Sequence, residues 1–154
     1  MKVFRLYIFL FPFLILQSCS AQKKVTSVTQ WKGDYLQFGK GGGGVTCAAR
    51  IYTLLMNGQL FSKTTNLNVQ EKELTAVSKK QTKDFFKRAG SLQLNPGKIS
   101  EPGNIYNTFV FYSKGIKREV VWGNGKYTPS EKMDSLVNDL MKATKAQEPV
   151  KKKN

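Results

Sequence analysis

The sequence predicts an α+β fold in two layers, an antiparallel sheet packed by two helices, with a hint of a duplicated ββα unit. Three observations carry this. Two strand-like runs fold around glycine turns, "RIYTLLMNGQLFSKT" and "NTFVFYSKGIKREVVWGN". Two further stretches, "SKKQTKDFFKRAG" and "TPSEKMDSLVNDLMKAT", begin with capping residues and repeat apolar side chains at helical spacing. Each helix has a single apolar stripe and must bury it against a sheet. Each hairpin precedes a helix, and Gly58 and Gly115 hold corresponding turn positions, which is the basis for a duplicated unit.

Residues 1–18 stand outside this fold. Lys2 and Arg5 precede an apolar run from Leu6 to Leu16, followed by small polar residues. That is the layout of an export signal, and the run is short for a membrane-spanning helix. Its end, Leu16-Gln17-Ser18-Cys19, resembles the lipobox of bacterial lipoproteins, and "QSCSAQKK" is similar to small uncharacterised lipoproteins of Bacteroidota. The resemblance covers residues 1–19. It implies that Cys19 carries a diacylglycerol on its sulfur, that the bond between Ser18 and Cys19 is cut, and that Cys19 becomes the mature N-terminus. Ser20 follows where an aspartate would mark inner-membrane retention, and no acidic tract follows, so the resemblance points to the outer membrane, facing the periplasm.

Residues 19–30 then read as the lipidated cysteine and a small, polar tether without periodicity. The folded domain is expected over 31–144, and the basic tail 145–154, with Pro149, reads as disordered. Within the domain, a strand is expected near "DYLQF", followed by the run "GKGGGGVTC", residues 39–47. A phosphate-binding loop would need Lys-Ser or Lys-Thr leading into a helix. Here Gly41 follows Lys40, and "VTCAARIYTLL" reads as a strand. The run is therefore expected to be a turn or bulge connecting two strands, and Gly41–Gly44 a loop able to contact a partner.

Asn57-Gly58 predicts a two-residue type I′ turn, pairing Leu54 with Phe61, Tyr52 with Lys63 and Leu55 with Leu60. Neither face of that hairpin is clearly the wet one. Lys114-Gly115 predicts a second tight turn, pairing Phe111 with Arg118 and Phe109 with Val120. Phe109, Phe111, Ile116, Val120 and Trp122 then share an apolar face, with Thr108, Val110, Tyr112, Lys117, Glu119 and Val121 on a wetter one. The first helix is expected to open on a Ser78/Gln81 capping box and stop at Gly90. The second is expected to open on Thr128, with Pro129 at its first position and Glu131 closing the box. "KELTAVS" reads as a further strand.

The chemistry is sparse. The chain has 25 Lys+Arg against 10 Asp+Glu, a formal charge of +15, and 0 histidines. The excess favours acidic partners, and the lack of histidine removes the usual general base and the commonest metal ligand. No carboxylate pair, calcium loop, zinc spacing or nucleophile elbow is present, so no catalytic, metal or cofactor residues are assigned. Glu131, Asp134 and Asp139 read as cap and solvent-face groups, and "SAQK", 20–23, matches Ser-x-x-Lys only by letter. If Cys19 carries lipid, Cys47 is a single thiol, read as a small apolar strand residue. Lys79, Lys80, Lys83 and Lys87 make a basic stripe opposite Phe85, either a solvated face or a contact for anionic headgroups.

The expectation is therefore a non-enzymatic binding or scaffolding domain anchored in the cell envelope through Cys19. Its partners would be the membrane, anionic lipid or an envelope protein, not nucleic acid. An inhibitor-like module that blocks an envelope enzyme is the alternative, with a Cys47-dependent hydrolase behind it.

Overall fold

The computed structural model describes residues 24–42, 48–65 and 69–147. Ser18, Cys19, Gly43, Gly44, Cys47 and Lys151–Lys153 lie outside them, as does "SAQK". The described chain forms β1 (Tyr35–Gly42), β2 (Ala49–Leu55), β3 (Leu60–Thr65), β4 (Gln70–Leu74), α1 (Lys79–Ser91), β5 (Gly97–Glu101), β6 (Ile105–Ser113), β7 (Ile116–Trp122) and α2 (Glu131–Lys145). The fold is α+β. The strands form one sheet in the order β4-β3-β2-β1-β6-β7-β5, antiparallel throughout except that β5 joins β7 in parallel.

Both helices pack on one face. There Leu36, Phe38, Tyr52, Leu54, Leu60, Phe109, Phe111, Val120 and Trp122 meet Phe85, Phe86 and Ala89 of α1 and Met133, Leu136, Val137 and Leu140 of α2. The predicted stripes of the two helices are these residues, and Phe86 meets Phe111 edge-on at 6.4 Å. α1 opens as expected, with Gln81 N–H donating to Ser78 Oγ, but it runs past Gly90 to Ser91. The left-handed residue that follows is Gln93, at φ 51, so Gly90 is not the stop. α2 is capped by Ser130, whose Oγ accepts from Met133 N–H, rather than by Thr128. Glu131 is then the first helical residue and lies near the positive end of the helix dipole.

The second hairpin has the predicted register, Phe111 with Arg118 and Phe109 with Val120. Lys114 and Gly115 sit at φ 52 and 78, the geometry of a type I′ turn. Arg118, the charged residue on the apolar side, stacks 5.8 Å from the Phe111 ring centroid and donates from Nε to Leu94 O. Ile116 is 42% exposed, because the helices do not reach the hairpin's tip.

The first hairpin is displaced by one residue from expectation. Leu54 pairs with Leu60, Thr53 with Phe61 and Tyr52 with Ser62. Leu55 O accepts from Gly58 N–H, and Leu55 N–H donates to Gln59 O. The connection is thus a four-residue turn closed by a bulge, with only Gly58 at positive φ, 92. This slip turns Phe61 onto the helix-free face together with Leu55 and Thr53, all three buried. Val110 and Val121 are buried on that same face, so the expected wetter face is apolar in its middle.

The glycine run also departs from expectation. Gly39, Gly41 and Gly42 belong to β1, the central strand, and do not form a connector. A Cβ at Gly39 would collide with Arg50 O, and one at Gly42, where φ is 85, with Asn104 O. Tyr106 lays its ring over Gly41. The glycines serve close approach of backbone and ring inside the sheet.

The lead-in, expected as a tether up to residue 30, is bound to the domain from Lys24 onward. A 3-10 turn at Val28–Gln30 is capped by Ser27. Val28 N–H donates to Glu71 Oε1 at 3.2 Å, and Lys24 Nζ pairs with Glu73 at 3.3 Å. Gln59, 5% exposed, holds Val25 from both sides. Glu73 is the cross-strand partner of Phe61, so this segment lies on the helix-free face beside β3 and β4.

Candidate functional site

A cluster of basic and amide side chains lies where α2 crosses the upper end of the sheet, the end at which β1 finishes. Four strands place one residue each in a row on the helix-bearing face. Arg50 of β2 pairs with Lys40 of β1, Lys40 with Asn107 of β6, and Asn107 with Trp122 of β7. The period of the strands puts all four on the face of Phe38 and Phe109, with Trp122 at the rim of the apolar core and the other three beside it.

α2 adds its outer edge above this row. Asp134, Val137, Asn138, Met141, Lys142 and Lys145 recur at helical spacing and, with Lys40, Asn107 and Trp122, enclose a groove of about 460 Å³. Asn138 Nδ2 donates to Asp134 Oδ2 at 3.2 Å, which commits one of the amide's donors and the groove's one acid. Lys142 leans to the other flank of the helix, 3.5 Å from Asp139. Lys40 and Lys145 are exposed and have no ion pair among the described residues. The groove therefore offers ammonium and amide donors beside the apolar walls of Trp122 and Met141. That combination attracts a carboxylate or phosphate carried on a partly apolar ligand.

A larger groove, about 690 Å³, runs between α1 and α2, but its two acids, Asp84 and Asp139, are already paired with Arg88. Arg88 bridges the helices, 3.0 Å from Asp139, 3.7 Å from Asp84 and 3.3 Å from Ser135 Oγ. Asp139, read from sequence as a solvent-face group, is in fact half of this clamp. The groove reads as a structural seam.

No group of acids and cysteines among the described residues could hold a metal ion, and no described helix is long and apolar enough to cross a membrane. The carboxylates with displaced titration are held low by neighbours that also fix structure. Glu73 is lowered by the hydrogen bond from Gln59 and by Lys24, and Glu119 by Lys117 and Lys98. Neither has the raised value that would suit a general acid.

The sequence singled out Lys40 only as a residue within a glycine run, and it did not foresee the row Arg50–Lys40–Asn107–Trp122. The signal was present, since alternation from Phe38 places Lys40 on the core face, but strand β1 had to extend through the glycines for it to count. The lipidation residues Ser18 and Cys19, and Cys47, fall outside the described residues, so the structure does not place them. Compared with known proteins, the chain matches no family model, and no curated sequence matches it.

Proposed function

We propose that this protein is a lipid-anchored component of the cell envelope whose domain binds an acidic partner without catalysing a reaction. The observation that carries the binding half is the groove beneath α2. Exposed Lys40 and Lys145 converge there with amides and apolar walls, and no nucleophile–base pair accompanies them among the described residues. The anchoring half rests on Leu16-Gln17-Ser18-Cys19.

The test has two parts. Mass spectrometry of the protein extracted from membranes is expected to show acyl chains on Cys19 as the N-terminal residue, and Cys19→Ser is expected to lose them. A pull-down from solubilised envelopes with intact lipidated protein is then compared with the same experiment on Lys40→Glu/Lys145→Glu. A partner retained by wild type and lost by the double variant supports the groove. A partner held equally by both moves the contact elsewhere and sinks the groove as the binding site.

A further inference from the structure

The lead-in segment and helix α1 meet at the same end of the domain, where Lys24 of the lead-in is paired with Glu73 and α1 carries the unopposed positive charge. Val77 N–H donates to Gly58 O just before α1 begins, so the helix starts beside the β2–β3 turn. Its far end is followed by Leu94, whose carbonyl accepts from Arg118 near the start of β7. Both ends of α1 are thus tied to the lower end of the sheet, opposite the groove, and the helix lies across that end. Asp84 and Arg88 face α2. Lys79, Lys83 and Lys87, spaced by four, occupy the other flank and point away from α2, past the sheet's lower edge. All three are exposed, with no ion pair among the described residues. Lys114, at the tip of the second hairpin, adds to the same end.

Val25 and Lys24 are fixed at this lower end by Gln59 and Glu73. On the lipid-anchor reading, the bound segment begins five residues after Cys19, at Lys24. Five residues reach at most about 17 Å when fully extended. A domain on so short a lead cannot stand clear of the surface that holds its N-terminus.

We infer that the lower end of the domain is a docking surface for an anionic phospholipid bilayer, with the Lys79/Lys83/Lys87 flank of α1 against the headgroups. The inference rests on the lipid-anchor reading of Cys19. It turns the expected free tether into a short strap. It also directs the groove beneath α2 away from the bilayer, into the aqueous compartment, where a partner can reach it. Attraction of this kind acts over about a Debye length and is weakened by salt.

Brief acetylation of lysines tests this on the intact acylated protein. The protein is placed on vesicles of phosphatidylcholine alone, or of phosphatidylcholine mixed with phosphatidylglycerol. Mass spectrometry of the same samples reads the acyl chains on Cys19 and the modification at each lysine. On the mixed vesicles, Lys79, Lys83 and Lys87 are expected to react roughly five-fold more slowly than on phosphatidylcholine alone, a difference that disappears in high salt. Lys40 and Lys145, at the opposite end, are expected to react equally on both. Acylated protein whose α1 lysines react alike on both vesicles overturns the docking while leaving the anchor intact. Protection of Lys40 and Lys145 instead overturns the orientation. A chain without acyl mass removes the anchor reading and the docking with it.

Discussion

Gln59 and Val25 exchange two hydrogen bonds: Val25 N–H donates to Gln59 Oε1 at 2.9 Å, and Gln59 Nε2 donates to Val25 O at 2.8 Å. A side-chain amide here does what a neighbouring strand would do, satisfying both backbone groups of one residue. Asn57 orients it, with Nδ2 donating to the same Oε1 at 2.8 Å and Oδ1 accepting from Gln59 N–H at 2.9 Å. Gln59→Leu keeps the bulk and removes the side-chain bonds to Val25 and Asn57, leaving only the backbone N–H bond to Asn57 Oδ1. It is expected to destabilise the domain by about 1–3 kcal/mol, because it leaves polar groups of Val25 unpaired. Urea unfolding measures the loss. Hydrogen exchange is expected to rise at residues 24–28 before it rises in the sheet. Unchanged exchange there would mean that other contacts hold the lead-in.

Glu73 gives this attachment a pH dependence. The hydrogen bond from Gln59, then the pairing with Lys24, holds its carboxyl below the ordinary 4.5. A carboxylate whose folded value is depressed adds stability that is present above 4.5 and is lost as pH falls through the lower folded value. Exchange at residues 24–28 is therefore expected to increase on acidification below that point, ahead of global unfolding. Glu73→Gln is expected to flatten this acid response. A variant with the wild-type pH profile would place the effect on another group.

Two turn glycines separate strain from collision. Gly115 has φ 78 with open space around it, whereas at Gly58, φ 92, a Cβ would lie 2.7 Å from Val77 O. Gly115→Ala is expected to cost about 1 kcal/mol through backbone strain alone. Gly58→Ala is expected to cost about 1–3 kcal/mol more, because it also disturbs the carbonyl next to the start of α1. Equal losses in denaturant titrations would show that the Val77 carbonyl moves freely aside.

The strand glycines are ranked in the same way. Gly39→Ala pushes against the backbone of β2, which is held on both sides by its neighbours. Gly41→Ala pushes against the Tyr106 ring and Ala49, of which the ring can swing out. Gly39→Ala is expected to be the more damaging of the two, by about 1 kcal/mol or more. The reverse order would place the two strands further apart than they lie here.

Cys47→Ala is expected to leave folding and partner binding as they are, since the reading of its sulfur as inert follows from the lack of any histidine to activate it. The measurement is alkylation of Cys47 alongside the pull-down. Loss of a hydrolytic activity on alkylation, with the fold retained, would make the thiol chemical.

The second hairpin was legible because its sequence gives one answer. Lys114-Gly115 suits a type I′ turn, and the alternation of Phe109 and Phe111 against Val120 and Trp122 allows one register. The first was misread because Leu54, Leu55, Leu60 and Phe61 are apolar on both sides of the turn. A slip of one residue then costs nothing in pattern, and the register was set instead by the Gln59 bulge and the burial of Phe61 on the second face. Of the candidate site, Lys142 could be placed on a helix from sequence, but Lys145, read there as the start of a disordered tail, is the last residue of α2, and the meeting of both with Lys40 and Asn107 was not legible.

By itself the sequence determined the α+β class, the two helices with their buried stripes, and the register around Lys114-Gly115. These depend on local propensity and on periods that repeat along a few turns or residues. The tertiary structure decided that the glycines of β1 lie inside the sheet, that residues 24–30 fold back onto Gln59, Glu71 and Glu73, and that Arg50, Lys40, Asn107 and Trp122 share a row. Each of these joins residues far apart in the chain. Their pairing is fixed by which backbones can approach and which buried polar groups find partners, and no short window of sequence contains both halves of such a contact.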